Sequence, residues 1–120
     1  MKFAIAFIIF LSAVVAHAAC DEPTLIKSVG SYADKKENGY GPRFTKAKIH
    51  GILAPGESME IQISVEDFKV SNTSASNLMY VSLEGSSLAV DKTFWLAAVH
   101  PLTCETVSAS EALGTGGGGL

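Results

Sequence analysis

The sequence predicts an all-β protein: a small antiparallel β-sandwich of immunoglobulin-like architecture, with about seven strands and one disulfide. Three observations lead to this prediction. Apolar and polar residues alternate strictly from Met59 to Val65, as expected of a strand with one buried and one solvated face. Several further short apolar segments are separated by turn residues. Two cysteines, Cys20 and Cys104, lie near the two ends of the predicted domain.

Residues 1–18 are predicted to form a secretory signal peptide. Lys2 is the only charged residue before the apolar run Phe3–Val15, and Ala16-His17-Ala18 matches the A-x-A pattern of a cleavage site. The run is too short to cross a bilayer comfortably, so we expect a secreted, extracellular protein with no stable membrane span. Two alternatives stay open: a retained membrane anchor, and cleavage before His17, whose amino group and ring would then bind copper.

The rest of the chain is predicted to be one β-sandwich domain over residues 19–107 and a disordered tail over residues 108–120. The tail is small, polar and glycine-rich, so it cannot bury enough apolar surface to fold. Without Lys2 the net charge is about −4, and the chain has no dense basic cluster. A nucleic-acid partner is therefore not expected.

The two cysteines predict a disulfide that ties the first strand to the last. In an oxidising compartment, Cys20 and Cys104 most simply pair with each other. Closing so long a loop would stabilise the fold by up to about 4–5 kcal/mol on the chain-entropy account. A metal site is the weaker interpretation of these cysteines, and we expect no metal and no cofactor.

The order of the first strands follows from the apolar pattern and the turn residues. A short strand is expected over residues 25–29, and a long surface loop over residues 30–42. The alternation returns after Phe44, and Ala54-Pro55-Gly56 is a type II turn signal, because proline fixes φ and glycine supplies a positive φ. We therefore expect the strands on the two sides of this turn to pair with each other.

A change of phase follows the alternating strand. Phe68 and Val70 occupy positions of the opposite parity from the apolar residues up to Val65. This change predicts a β-bulge or bend near residues 66–67, which would turn both side chains inward.

Two more strands are predicted, at residues 78–84 and 93–99. The second is a continuous apolar run, which is typical of a central strand covered on both faces. His100-Pro101 ends it, because proline cannot donate a hydrogen bond to a neighbouring strand. Trp95 within this run is predicted to be a core residue, and a sugar-stacking platform is the alternative.

The polar loop before the first of these strands contains a possible modification site. Asn72-Thr73-Ser74 matches the acceptor triplet for N-glycosylation. Glycosylation of Asn72 is expected if the host is a eukaryote that passes the protein through its secretory pathway.

The chain lacks the sequence motifs of common catalytic sites. It has no nucleophile elbow, no phosphate-binding glycine loop after a strand and no zinc-binding helix motif. The neighbouring carboxylates Glu66 and Asp67 are expected to point to opposite faces of a strand and not to form a catalytic pair. The sequence therefore predicts a non-enzymatic protein without catalytic residues.

Three features occur in an order known from one family of secreted proteins. They are Cys20 at the start of the first predicted strand, Pro55-Gly56 before the alternating strand at Met59, and the run Lys92-Thr93-Phe94-Trp95-Leu96 with the later Cys104. In this order the chain resembles the ML lipid-recognition proteins, small β-sandwiches that hold a lipid between their sheets. The resemblance covers residues 20–104, and the chain departs from it in having only two cysteines and in ending soon after Cys104.

The resemblance implies a site for a lipid-like ligand. Six apolar residues would line its cavity: Ile61, Ile63, Met79, Val81, Phe94 and Leu96. In the alternative interpretation the same six residues are simply core.

Together these observations predict a secreted, non-enzymatic β-sandwich binding module, with an apolar small molecule as the ligand. The alternative is an extracellular structural, surface or host-interaction protein that recognises a protein or glycan through its loops, where Tyr32 and Tyr40 are candidate contacts. A cavity of roughly 300 Å³ or more would favour the carrier. An interior filled at native packing density would favour the scaffold.

Overall fold

The computed structural model describes residues 20–115. The predicted signal peptide and residues 116–120 of the predicted tail lie outside this part of the chain. Within it, one helix precedes six strands: α1 (Glu22–Lys36), β1 (Arg43–Leu53), β2 (Ser58–Ile63), β3 (Glu66–Ser71), β4 (Leu78–Ser86), β5 (Lys92–Val99) and β6 (Thr106–Thr115). No helix among these residues is long and apolar enough to cross a membrane.

The strands form two antiparallel sheets, and with the helix they make three layers. The larger sheet has the order β1-β4-β5-β6, and β2 and β3 pair as a hairpin. α1 packs on one face of the larger sheet, and the hairpin packs on the other. The predicted fold class is confirmed: the described chain is mostly β, its two sheets are antiparallel and pack as in a sandwich, and one disulfide joins its cysteines.

The helix α1 begins and ends at residues with clear capping roles. Asp21 accepts a hydrogen bond from the Thr24 N–H at 3.0 Å, and Pro23 lies in the first turn. The helix ends just before Asn38-Gly39, where both residues have positive φ. Residues 30–36, predicted to be loop, are therefore helical.

The buried face of α1 explains why residues 25–29 are not the predicted strand. Leu25, Val29 and Ala33 follow one another at four-residue spacing and are all buried. We call the layer beneath them the helix core. Its other buried side chains come mainly from the central strands: Phe44, Met79, Val81, Leu83, Trp95, Ala97, Val99 and Ala109.

The hairpin covers the opposite face of the larger sheet and forms a second core, the hairpin core. Its buried members are Leu53, Ile61, Ile63, Val70, Leu78, Tyr80 and Ala98. β5 contributes Trp95 and Ala97 to the helix core, and it contributes Leu96 and Ala98 to the hairpin core. The prediction that residues 93–99 form a central strand covered on both faces is confirmed.

The predicted turn at Ala54-Pro55-Gly56 is present, but it does not join paired strands. The Glu57 N–H donates to the Ala54 carbonyl at 3.0 Å, and Gly56 has a φ of 85°. The prediction that the strands beside the turn pair with each other is wrong, because β1 pairs with β4 and β2 pairs with β3. The turn instead lets β2 and β3 fold back over the larger sheet.

The change of apolar phase after Val65 marks a hairpin turn and not the bulge predicted near residues 66–67. Ser64 and Val65 form the two-residue connection between Ile63 and its cross-strand partner Glu66. Ser64 has a φ of 57°. Val65 stands at the tip with 86% of its surface exposed.

The predicted disulfide between Cys20 and Cys104 is confirmed, with its two Cα atoms 5.5 Å apart. It does not tie the first strand to the last, because the first element is a helix. It joins the residue before the N-cap of α1 to the connection between β5 and β6.

β6 extends into the region that was predicted to be disordered. Phe94 pairs with Leu113 and Ala97 pairs with Ala109, so this segment forms the edge of the larger sheet. Ala109 is buried in the helix core, and Leu113 packs against the hairpin core. The domain boundary predicted at residue 107 is therefore too early, and the strand continues to Thr115.

Candidate functional site

Two of the open clefts on the surface of the described chain are lined by residues that the sequence predicted for a ligand site. The bulge cleft, of about 600 Å³, lies between the hairpin and the β1 side of the larger sheet, where its wall includes His50, Ile61, Ile63, Ser82 and Phe94. The disulfide cleft, of about 780 Å³, lies at one end of that sheet, where its wall includes Cys20, Ile52, Met79, Pro101 and Leu102.

The six residues predicted to line one lipid cavity are not brought together. Ile61, Ile63 and Phe94 line the bulge cleft, Met79 lines the disulfide cleft, Leu96 packs against the hairpin core and Val81 is buried in the helix core. The reason is the register between β4 and β5, which pairs Met79 with Val99 and Val81 with Ala97. Met79 and Val81 consequently lie on the face opposite Phe94 and Leu96.

The bulge cleft takes its name from an irregularity in β1 at His50. After an earlier irregularity at Thr45, pairing with β4 is regular from Lys46 to Ile49 and resumes at Gly51, so His50 is an extra residue. Its Nε2 lies 2.7 Å from the Ser82 Oγ. Burial lowers the pKa of His50 below the ordinary value of 6.5, and the positive charge of Lys48 lowers it further.

Charges of both signs surround the bulge cleft. Lys46 and Lys48 lie on β1, and Glu60 and Glu84 stand on the neighbouring strands of the cleft. Glu22 reaches from α1 to the open edge of β1, where its Oε2 accepts a hydrogen bond from the Ala47 N–H at 2.9 Å. This mixture favours a polar ligand or a solvated surface over an apolar ligand.

The disulfide cleft differs in having a mainly apolar wall. Ile52 and Met79 form the side that belongs to the larger sheet, and Pro101 and Leu102 form the opposite side. Leu102 is 74% exposed although it lies in a short connection between two strands. The polar members of the wall lie around these side chains: Ser76, Asn77, His100, Thr103 and Glu105.

Hydrogen bonds fix the connection that carries Leu102. The His100 N–H donates to the Glu105 carbonyl at 2.9 Å, and the Cys104 N–H donates to the His100 carbonyl at 2.8 Å. The Ser28 Oγ of α1 donates to the Cys104 carbonyl at 2.7 Å. Together with the disulfide, these bonds hold this wall of the cleft in one shape, which lowers the entropy lost on binding.

Asn72, the predicted glycosylation acceptor, is only 1% exposed. Its Nδ2 donates to the carbonyls of Leu53 and Ser76, at 2.8 Å in each case. Its Oδ1 accepts from the N–H and the Oγ–H of Ser74. The expected glycan does not fit this geometry, because Nδ2 is buried and both of its hydrogens are already engaged.

Sequence reasoning missed the residues of the connection between β5 and β6. Leu102 stands between Pro101 and Cys104 in a segment with no apolar period, so no pattern assigned it to a face. The one sequence signal for a role of Leu102 was its position as an apolar residue in a short loop that ends at Cys104. In residues 20–115, no group of three His, Cys, Asp or Glu side chains is placed to hold a metal ion.

Comparison of the chain with protein-family models, with curated proteins and with solved structures finds no match. The resemblance to the ML proteins therefore stays a prediction. The residues that line the two clefts therefore indicate which class of ligand each could bind.

Proposed function

We propose that this protein is a secreted, non-enzymatic binding module that holds a small, lipid-like apolar molecule in the disulfide cleft. The observation that carries this proposal is a cleft of about 780 Å³ with a mainly apolar wall. Sites for small molecules are typically concave, apolar and about 300–1,000 Å³ in volume, with a few polar groups that fix the orientation of the ligand. Ser76, Asn77 and Thr103 are such groups.

The disulfide cleft suits an apolar ligand better than the bulge cleft does. An apolar molecule in the bulge cleft would desolvate the charged groups of Lys48 and Glu60 without offering them a partner. In the disulfide cleft the side chains of Ile52 and Leu102 are already exposed to water, so a ligand would cover apolar surface.

The test is the binding of a hydrophobic fluorophore, N-phenyl-1-naphthylamine, to the secreted protein. We expect saturable binding, and we expect Leu102→Glu to weaken it at least tenfold, because a carboxylate would replace apolar contact surface. Leu88→Glu is the matched control: Leu88 is 91% exposed and does not line the cleft. Absence of saturable binding, or equal loss in both variants, would contradict the proposal.

A retained natural ligand would be found by native mass spectrometry of the secreted protein. We expect additional mass that survives gentle ionisation and disappears on denaturation. The value of that mass would identify the ligand, and Leu102→Glu should lose it while Leu88→Glu keeps it.

A second candidate function, recognition of a macromolecular partner by loops, is favoured by three side chains at the opposite end of the sheet. Tyr40 and Leu88 are 73% and 91% exposed, and they lie close to the paired residues Arg43 and Ser86. Val65 at the hairpin tip belongs to the same end, since its neighbour Ser64 lines the bulge cleft together with Lys46 and Glu84. Tyr32, the other expected contact, instead packs against the helix core.

Hydrogen bonds fix the backbone of two of the three loops that carry these side chains, the loop before β1 and the loop between β4 and β5. The Ser87 N–H donates to the Val90 carbonyl at 3.1 Å, and the Tyr40 N–H donates to the Glu37 carbonyl at 3.1 Å. If this end binds a partner, a protein recovered with the secreted chain should be lost from the Val65→Glu/Leu88→Glu variant. The same protein should stay bound to Leu102→Glu.

A further inference from the structure

The polar residues that line the disulfide cleft determine which charge the polar end of its ligand can carry. Glu105 is the acidic residue among those that line the cleft, and no lysine or arginine of the described chain lines it. The Glu105 side chain forms no ion pair with a described residue. An anionic head group placed here would meet a like charge and no counter-charge.

Neutral hydrogen-bonding groups dominate the remaining polar wall. The wall includes Ser76, Asn77 and Thr103, whose hydroxyl and amide side chains can both donate and accept hydrogen bonds. Such groups match an alcohol, an ester or an amide.

A cationic head group gains little from Glu105. An ion pair between solvent-exposed groups adds at most about fivefold in affinity, because solvent screens it. An anionic head group, in contrast, is disfavoured by desolvation without a counter-charge, and repulsion from Glu105 adds a further penalty that solvent screens to at most about fivefold.

We infer that the disulfide cleft selects a neutral amphiphile, such as a long-chain alcohol or ester, and discriminates against free fatty acids. This inference rests on the proposed function. It adds the chemistry of the ligand's polar end, which the apolar wall does not determine.

The test is competition against N-phenyl-1-naphthylamine by three probes of equal chain length: decan-1-ol, decanoate and decylammonium. All titrations are run at one pH, pH 8. We expect decanol to bind at least tenfold more tightly than decanoate and within about fivefold of decylammonium. A preference for decanol over decanoate of less than tenfold, or an affinity for decylammonium more than about fivefold above that for decanol, would overturn the inference.

Variants of the wall identify the cause of the selectivity. Glu105→Gln should narrow the gap between decanol and decanoate by about two- to fivefold and leave decanol binding unchanged. Thr103→Lys should strengthen decanoate binding by supplying the missing counter-charge. Glu37→Gln removes one negative charge beyond the opposite end of α1 and should change neither affinity.

The outcomes separate the two proposals. If the fluorophore does not bind at all, the proposed function fails. If it binds and decanoate displaces it as well as decanol does, in the parent protein and in Glu105→Gln alike, the proposed function stands and the inference about the polar end is wrong.

Discussion

Asn72 forms hydrogen bonds with five other residues through its side chain and its own backbone groups, and one of them is the Gly56 N–H, which donates to the Asn72 carbonyl at 2.7 Å. Besides the side-chain bonds to Leu53, Ser74 and Ser76, its N–H donates to the Glu57 carbonyl at 2.8 Å. These bonds satisfy buried polar groups at the place where the hairpin bends away from the larger sheet. Because Asn72 is buried, water could not take over these hydrogen bonds if its side chain were removed.

Substitution of Asn72 therefore has a predictable effect on stability. We expect Asn72→Ala to lower the free energy of unfolding by about 1–3 kcal/mol, because the buried bond to the Leu53 carbonyl is lost and the Ser76 carbonyl keeps only the Ser74 hydroxyl as a donor. Urea denaturation would measure it. The matched control is Asn77→Ala, at an exposed asparagine in the same loop, and a similar loss in both variants would contradict this role.

The same burial predicts the modification state of the folded protein. We expect the intact mass of the folded protein from a eukaryotic host to show no glycan on Asn72, since the native position of its Nδ2 excludes one. A glycan detected on Asn72 in the folded protein would show that this loop adopts another arrangement. The acceptor triplet could be recognised from sequence, whereas its burial could not, because burial depends on the path of β1 and β4.

His50 gives the fold a pH dependence of definite sign. Burial, and to a smaller extent Lys48, lowers its pKa below 6.5, so the unfolded chain binds more protons than the folded chain between the folded-state pKa and 6.5. Stability should therefore decrease as the pH falls through this window and become constant, for this group, below the folded-state pKa.

Denaturation curves between pH 8 and pH 5 would measure this dependence. His50→Gln should remove the His50 contribution, and Lys48→Gln should reduce it without removing it. An unchanged pH profile in His50→Gln would show that other groups cause the loss.

The helix is the element that sequence reasoning placed wrongly, although its signals were present. Asp21 is an N-cap, Pro23 lies in the first turn, and Leu25, Val29 and Ala33 have helical spacing. Leu25, Ile26 and Val29 alone are equally compatible with a short strand. Gly30, in the middle of the segment, is a poor helix former and points away from a helix.

Gly30 therefore offers a direct test of the helix. A Cβ at this position would meet no atom within 4 Å, so we expect Gly30→Ala to stabilise the protein by about 0.5–1 kcal/mol. Thermal unfolding would measure the gain. If Gly30 lay in the loop predicted over residues 30–42, alanine would bring no such benefit.

Gly85 in β4 provides the contrasting substitution. A Cβ there would overlap the Arg43 carbonyl group and the Phe44 Cα of the paired strand. We expect Gly85→Ala to destabilise the protein by about 1–3 kcal/mol or more, since β1 would have to move. Thermal unfolding under the conditions used for Gly30→Ala would measure this loss.

Strands were predicted more accurately than their pairing. The alternation that ends at Val65 and the apolar run of β5 identify strands because each pattern is local. The partner of β1 depends on the fold-back at Pro55-Gly56 and on the turn at Ser64, whose sequence is not a common hairpin signal. Pairing is a property of distant segments, and a turn signal does not determine it.

At the scale of the whole molecule, the candidate site depended on information that no single strand contains. Met79 and Phe94, two of the six residues expected to line one cavity, line two different clefts. Their assignment to one cavity failed because the two residues lie on opposite faces of the larger sheet. That Leu102 lines a cleft could not be predicted from sequence, because it depends on the packing of the β5–β6 connection beside β1 and β4.

The disulfide constrains this whole arrangement, since its two cysteines are separated by 84 positions. We expect the Cys20→Ser/Cys104→Ser variant to lose about 2–5 kcal/mol of unfolding free energy, the upper part of that range being the chain-entropy value for so long a loop. Urea denaturation of the variant and of the parent protein would measure it. Reduction of the parent protein should give the same loss, and no change in either case would contradict the prediction.

Trp95 is the single tryptophan of the chain, and it is buried between the helix and the larger sheet. Its ring meets Phe44 edge to face with centroids 5.8 Å apart, and the Lys36 Nζ lies 5.8 Å from its centre. The hairpin packs on the far side of the sheet and does not touch this environment. The molecule thus carries an optical reporter that observes one of its two cores, and an opening of the hairpin alone would leave the tryptophan emission unchanged.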